Sequence, residues 1–436
     1  MPRVILATLG SLGDLHPFIA LGLELERLGA EVVLACAAEY QSKVEGAGLT
    51  FAAMRPSFAD MQRALGMDRS QMTDAVLARS DFLFRKLIVP TVRASYEDMY
   101  DLTEGADVIL TSSLCIGARL AAERRAIPWI GIVLQPLLFM SAYDPPVIPK
   151  AEWLTSLLRT LGPGVTRLTL GAIKLALGTQ MGPVHALRRQ IGLPPTSLNP
   201  VFDGQFCAAG AIGLYSSLLG PCRADYPSPT DIVGFAFFDS ETGRAVTLNA
   251  ELERFLESGA APVVFTLGSL VVNSPGSFYY ESLAAARILR KRAVLLVGED
   301  ALAHYLPLRS ADVHVCAYAP HSLLFPRAEV IVHQGGIGTL AQALRSGRPH
   351  LIVPFFGDQL DNAARAVGLG SARRLAPVVY TAESAARELS RLAAAEYGLC
   401  ASKIRTCLEG ENGAAEAARV ILDRLELGAS RHGVSA

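Results

Sequence analysis

Charge of one sign is missing from this chain: 40 Lys and Arg stand against 41 Asp and Glu, for a formal net charge of −1. On net charge there is therefore no electrostatic case for a nucleic-acid partner or an anionic membrane. Cysteine pairing is missing too. The seven cysteines, at 36, 115, 207, 222, 316, 400 and 407, form no CxxC pair and leave an odd number, which argues against a structural zinc and suits reduced thiols in a cytosol-like compartment. Long hydrophobic runs are absent. The longest uncharged window, Ala126 to Tyr143, is broken by Pro128, Gln135, Pro136 and Ser141 and reads as a strand, IPWIGIVL, leading into a loop rather than as a spanning helix. The opening MPRVILATLGSLGDLHP is interrupted by glycines and Asp14, so it is a poor export signal and a good first strand, and the expected location is cytoplasmic. There is no DxD pair of the kind that holds Mg²⁺ or Mn²⁺ under a diphosphate, no Walker A lysine loop and no GxSxG elbow.

What is present is apolar: 51% hydrophobic against 19% charged residues, over 436 positions, supports large cores and two domains. Short apolar runs alternate with helix-period segments. VILATL, FIALGLELERLGA and EVVLACA form one strand–helix–strand unit, and ADVILTSS, IGARLAAERRA and IPWIGIVL form another. Such repetition predicts α/β domains with doubly wound parallel sheets. PCRADYPSPTD (221–231) reads as a surface connection. Beyond it APVVFTLGSLVVN repeats the opening, with TLGSL at both 8–12 and 266–270, and AVLLVGED, VHVCAY, EVIVHQ and HLIVPF follow as further strands. The expected division is 1–220, a linker over 221–240, 241–412, and a C-terminal helix and tail over 413–436. Two facing sheets would leave a cleft, and ligands of α/β folds bind at the carboxyl ends of strands. The amphipathic stretch 149–190, with WLTSLLRTLG, LGAIKLALG, Arg159, Arg167 and Lys174, reads as a packed or lid-forming helix pair and leaves room for weak peripheral membrane contact.

The stretch VIVHQGGIGTLAQALRSG from Val330 crowds Gly335, Gly336 and Gly338 between a strand and a helix. Free N–H groups and the positive end of a helix dipole converge there, so the spot suits a phosphate without a metal. Thr339 adds a hydroxyl, and His333, if protonated or suitably tautomerised, would neutralise charge on a leaving diphosphate. Two rivals fit the same residues. One is a tight turn with an incidental histidine. The other is a dinucleotide fingerprint, since Gly336, Gly338 and Ala341 satisfy GxGxxA with Asp358 about 20 residues on, where an acid would hold a ribose.

The longer segment YAPHSLLFPRAEVIVHQGGIGTLAQALRSGRPHLIVPFFGDQLDNA (318–363) resembles the nucleotide-sugar signature of family 1 glycosyltransferases, the UDP-glycosyltransferase superfamily, in its bacterial form. The resemblance extends to VILATLGSLGDLHPFIALGLELERLGAEV and to FTLGSLV (265–271), hence to both halves. It implies the GT-B fold, two Rossmann-like domains facing across a cleft, the first binding acceptor and the second donor. The resemblance puts His333 on the diphosphate, with Gly335, Gly336, Ile337, Gly338 and Thr339 cradling it. Ser269 and Gly13 would approach the same donor, Asp358 and Gln359 would grip sugar hydroxyls, and Tyr318 with His321 would flank the base. Ala341 stands where plant members carry a ribose-binding Glu, so the site does not choose between a UDP-sugar and a dTDP-sugar. Leu12 replaces the Arg that antibiotic-type members often keep in GSRGD.

The implied chemistry is metal-independent transfer of a hexosyl group with inversion, the nucleotide sugar being a substrate and no cofactor being needed. Plant members place a catalytic His three residues before the proline of the opening loop. Asp14 has that place here and is the first candidate for general base, with His16 as rival. An ordinary Asp, with a pKa of about 3.9, is a weak base, so apolar surroundings would have to raise it. Phe51, Met54, Phe58, Phe82, Phe84, Trp129, Phe139 and Tyr143 make the first half suit an apolar acceptor of polyphenol, sterol or polyketide type. The competing functions are an NAD-dependent oxidoreductase and a GT-B sugar-nucleotide epimerase or silent binder.

Overall fold

The computed structural model describes residues 1–79, 81–239 and 246–432, with side chains up to residue 427. The chain separates into two compact units. The first comprises residues 1–67, 79–244 and 411–436, the second 68–78 and 245–410.

In the first unit seven parallel strands lie in the order β3-β2-β1-β4-β5-β6-β7. They are β1 (Arg3–Ala7), β2 (Glu31–Cys36), β3 (Thr50–Ala53), β4 (Val108–Thr111), β5 (Trp129–Val133), β6 (Ala211–Gly213) and β7 (Thr230–Ile232). The central ones read RVILA, EVVLAC and VILT and are almost wholly buried, as expected where helices cover both faces of a parallel sheet. Helix Leu12–Arg27 follows β1 and buries Leu15, Phe18, Ile19, Leu21 and Leu25. Helix Gly413–His432 returns from the far end of the chain and packs on it.

The second unit carries six parallel strands in the order β10-β9-β8-β11-β12-β13. These are β8 (Val263–Thr266), β9 (Ala293–Leu296), β10 (Val313–Cys316), β11 (Val330–His333), β12 (His350–Ile352) and β13 (Ala372–Arg374). Residues alternate between two cores: Val263, Phe265, Leu295 and Val332 face one, Val264, Val294 and Ile331 the other. Both sheets are doubly wound and Rossmann-like. The winding direction reverses between β1 and β4 in the first and between β8 and β11 in the second, so loops diverge there and leave a crevice at the strand ends.

The structure changes the division drawn from sequence. The stretch read as a linker, 221–240, contains β7, which pairs with β6. A three-residue edge strand among prolines carries no periodicity of its own, which is why it passes for a loop. The C-terminal helix belongs with the first unit: Arg424 donates to Ala209 O at 2.9 Å and pairs with Asp231, and Glu411 accepts from Ser216 Oγ at 2.7 Å. Residues 68–78 in turn join the second unit, where Asp74 bonds Ser274 Oγ. The predicted start of the second domain at 241, and the tail over 433–436, lie outside the described residues. Among the described residues no helix is long and apolar enough to cross a membrane.

Candidate active site

At the β1/β4 switch of the first unit the chain turns from β1 into helix Leu12–Arg27 through Gly10 and Ser11. Ser11 is the N-cap. Its side chain accepts from the Gly13 amide at 3.4 Å, and its own amide donates to Asp14 Oδ2 at 2.8 Å, so Asp14 closes a capping box. Gly10 makes room for that carboxylate: its φ is +140°, and a Cβ there would lie 2.2 Å from Oδ2. Leu9 N donates to Ser112 Oγ at 3.4 Å, joining the loop to the end of β4, and Ser112 Oγ sits 3.2 Å from Cys115 Sγ. Beneath them buried Arg119 holds the carbonyls of Ser112 at 2.9 Å, and of Ser113 and Pro200 at 3.0 Å.

Burial raises Asp14 to a pKa of about 6, outweighing the hydrogen bonds from Ser11, which lower it. The residue as a whole is half-buried. A carboxyl with a pKa near 6 has the proton affinity that general-base work near neutral pH calls for. Burial also pushes the nearby Cys115 thiol up to about 11, which keeps it neutral. His16 is two residues farther on, about 200° around the helix axis, so it does not share Asp14's face. Its ring packs edge-on to Phe238 at 5.5 Å. The aromatic set splits similarly. Phe139 is buried between Phe206 at 5.7 Å and Tyr226 at 3.9 Å, and Trp129 Nε1 donates to Gln205 O at 3.2 Å, so both serve the protein's own packing.

In the second unit the sequence-derived donor residues converge on the carboxyl ends of β8, β10, β11 and β12. The turn after β11 passes through Gly335, whose φ of +91° favours glycine and whose Cβ would sit 2.8 Å from Ile352 Cγ2. Gly336 is the N-cap of helix Ile337–Ser346, and no side chain caps that end. The first-turn amides of Ile337, Gly338 and Thr339 thus lack the cap that Ser11 gives the first unit's helix. Gln334 lies across the switch point, tight against Gly268 of the second TLGSL and against Gly336. Its Nε2 is 3.5 Å from Thr339 Oγ1, while its buried Oε1 has no partner. Ser269 beside Gly268 is exposed and does not act as the N-cap of its short helix.

His333 is fully buried, and burial, helped by His350 and His321, pushes its pKa well below the ordinary histidine range, which favours the neutral tautomer over the cation of the two forms the sequence leaves open. The Gly335 amide donates to its Nδ1 at 3.1 Å, which leaves the proton on Nε2, 3.3 Å from His350 Nδ1. His350, itself lowered to about 3 by burial, completes the chain with Nε2 3.4 Å from Ser371 Oγ. His333 therefore acts on the glycine turn through its ring acceptor. Replacing His350 with Phe strands the His333 N–H and should cost about 1–3 kcal/mol of stability. Donor KM should rise more than kcat falls, and His350→Asn, with an acceptor in the same place, should recover most of both in steady-state kinetics.

Gln359 is buried, and its Oε1 accepts from the amides of Phe355 at 2.8 Å and Phe356 at 3.3 Å, so that oxygen shapes the loop before it. Asp358, partly exposed, heads helix Gln359–Gly368 without capping it and accepts from Asn362 Nδ2 at 2.7 Å. Asn362 also bonds Gly335 O at 3.0 Å, tying the sugar-side loop to the glycine turn. Tyr318 stacks on His321 at 5.7 Å, and His321 packs on Phe325 at 4.3 Å, a ring column at the end of β10. Gln334, Asn362 and His350 are missed by sequence reading. Only Asn362 left a signal, its helical i+4 spacing from Asp358.

The chain matches the model of the "UDP-glucoronosyl and UDP-glucosyl transferase" family over residues 219–396. It is 30% identical over 387 residues to O-mycaminosyltylonolide 6-deoxyallosyltransferase of Streptomyces fradiae, covering 86% of each chain. Against the vancomycin aglycone glucosyltransferase of Amycolatopsis orientalis it is 27% identical over 433 residues, 97% of each. Among solved structures it resembles the glycosyltransferase VinC in complex with DTDP, with a TM-score of 0.67 at 18% identity over 97% of this chain and 99% of that one.

Proposed function

The chain belongs to the UDP-glucoronosyl and UDP-glucosyl transferase family, as a bacterial-type family 1 glycosyltransferase of the GT-B fold, and from that premise we propose an inverting, metal-independent transfer. The donor is a UDP- or dTDP-linked hexose, and the acceptor a hydroxyl of an apolar small molecule of polyphenol, sterol or polyketide type. The single observation that carries the reading is the uncapped start of helix Ile337–Ser346 at the β8/β11 switch, where amides and helix dipole converge on a glycine turn. The relatives support the rest, being named for work on O-mycaminosyltylonolide and on vancomycin aglycone, and the VinC structure holds DTDP.

In the proposed step Asp14 takes the acceptor's O–H proton as that oxygen attacks the anomeric carbon. The new C–O bond forms as the sugar–phosphate bond breaks, and the electron pair leaves on the nucleoside diphosphate. Amides of Ile337, Gly338 and Thr339 stabilise the charge that develops there. A single displacement inverts the anomeric centre. His16 is left as a neighbour that packs against Phe238, and Asp358 remains the candidate for sugar hydroxyls.

The test pairs binding with product analysis. UDP or dTDP at a hundredfold excess over Kd should stabilise the fold by about 2.7 kcal/mol, read as a raised melting temperature, with no effect of NAD(H). Mass spectrometry of sugar nucleotides with an aglycone panel should then show hexosylated product of inverted configuration, at equal rate in EDTA. A product that is only an altered sugar nucleotide would establish the epimerase instead, and a rate abolished by EDTA would end the metal-free mechanism.

A further inference from the structure

The amphipathic stretch of the first unit folds as two helices, Glu152–Leu161 and Pro163–Gly178, joined at Gly162, whose φ of +85° allows the sharp reversal. Their shared contact is small: Thr155, Leu158, Thr166 and Leu170 are buried, and Thr166 Oγ1 donates to Leu158 O at 3.1 Å. The opposite surface is apolar and uncovered. Trp153, Leu157 and Leu161 recur every four residues along one helix and are 69%, 42% and 51% exposed. Val165, Leu168 and Leu175, on one stripe of the other, are 43%, 77% and 76% exposed. No other stretch of the described residues exposes so many large apolar side chains so close together. This is the reverse of the packed pair that sequence favours.

Charge identifies what meets this surface. Within 150–178 Lys150, Arg159, Arg167 and Lys174 face a single acid, Glu152, although the whole chain is balanced at −1. Lys174 is held by Asp203 at 2.7 Å, while Lys150, Arg159 and Arg167 are exposed. A face with leucines and an outward tryptophan, with exposed Lys150 before the first helix, Arg167 beside the stripe of the second and Arg159 adding charge from the far side of the first, suits the boundary between headgroups and acyl chains of an anionic bilayer, where apolar burial and charge attraction add. A protein partner of matching chemistry would need its own apolar strip rimmed by acids.

We propose that the helix pair 152–178 is a docking element that seats the protein on an anionic lipid surface. It dips its leucines and Trp153 into the interface without crossing it. The consequence, which rests on the proposed transfer to apolar acceptors, is that acceptors dissolved in that lipid are delivered to the first unit.

The full chain is mixed with vesicles of phosphatidylcholine alone or with added phosphatidylglycerol, and bound protein is sedimented. Binding should require phosphatidylglycerol and weaken with salt. Trp153 fluorescence should shift to the blue, a shift lost in Trp153→Phe, where only Trp129 reports. Leu168→Asp with Leu175→Asp should lower vesicle binding at least tenfold, and Arg159→Glu with Arg167→Glu should lower it on anionic vesicles. Both pairs should leave the melting temperature and the response to UDP or dTDP unchanged, since none of these side chains belongs to the proposed transfer machinery. Absence of binding, or equal binding to neutral and anionic vesicles, overturns the proposal. So does a dimer on gel filtration that Leu168→Asp converts to monomer. Vesicle binding needs no transfer step, so its failure and a failure of the transferase reading remain separate results.

Discussion

Asp14→Asn should lower transfer by about 10²–10⁴-fold while leaving donor binding where it was. The amide keeps the shape of the capping box and still accepts from the Ser11 amide, but it cannot take a proton from an acceptor hydroxyl. In the parent, kcat/KM should rise about tenfold per unit as pH climbs towards 6 and level off above, because the reactive form is the ionised carboxyl and burial has moved its pKa to about 6. Stability carries the opposite sign. A carboxyl whose folded pKa lies above its usual 3.8 binds its proton more tightly in the folded chain. The stabilisation this gives is complete below 3.8 and is lost as pH rises through about 6. At pH 8 the uncharged Asn variant should therefore melt no lower than the parent. Undiminished transfer by Asp14→Asn would remove the residue from the chemistry. A melting point several degrees lower, with activity falling in proportion, would reduce it to a cap.

Gly335→Ala should be the most damaging single methyl group in the second unit. The backbone there has φ +91°, which costs a non-glycine residue about 1–2 kcal/mol, and the added carbon would meet Ile352 Cγ2 at 2.8 Å and Gln359 O at 3.2 Å. Overpacking adds about 1–3 kcal/mol. At about 2–4 °C per kcal/mol for a unit of this size, calorimetry should register a loss of several degrees. The damage should also reach the donor. The Gly335 amide is bonded to His333 and its carbonyl to Asn362, so a shift here moves the start of helix Ile337–Ser346, and the Kd for UDP or dTDP should rise tenfold or more by titration calorimetry. Gly338→Ala, inside the first turn and without a positive φ, is the control that should preserve the melting temperature. An alanine at 335 that melted and bound like the parent would show that the turn is not held as described.

Much of this was legible in the linear sequence, and what was hidden had a physical reason. The apolar runs that become β1, β2, β4, β8, β9 and β11 announce themselves because strands buried on both faces need no polar alternation. The glycine turn shows because few other reasons crowd glycines between a strand and a helix. Ser11 and Asp14 carry a capping box in plain spacing. What could not be read were consequences of burial and of distant contacts. Asp14 has a pKa raised to about 6 only because the surrounding fold desolvates it. Whether His333 is cationic or neutral stays open in the sequence until its burial and His350, 17 residues away, are seen against it. Gln334 gains a role from Gly268, a neighbour only because β8 lies beside β11. That the Gln359 side-chain oxygen is held by two main-chain amides just upstream could not be read either.

The return of helix Gly413–His432 to pack on helix Leu12–Arg27 has an effect on how the molecule comes into being. As the ribosome releases the chain, the opening lobe stays unfinished until residues beyond 410 have emerged, because part of its wall follows the other lobe in sequence. The lobe bearing the glycine turn, contained between residues 245 and 410 apart from a short borrowed helix, has nearly all its pieces earlier. Asp14 is thus made before the second lobe and enclosed only after it, and a nascent product cut short near 410 would carry the glycine-turn lobe nearly whole beside an opening lobe still lacking that wall.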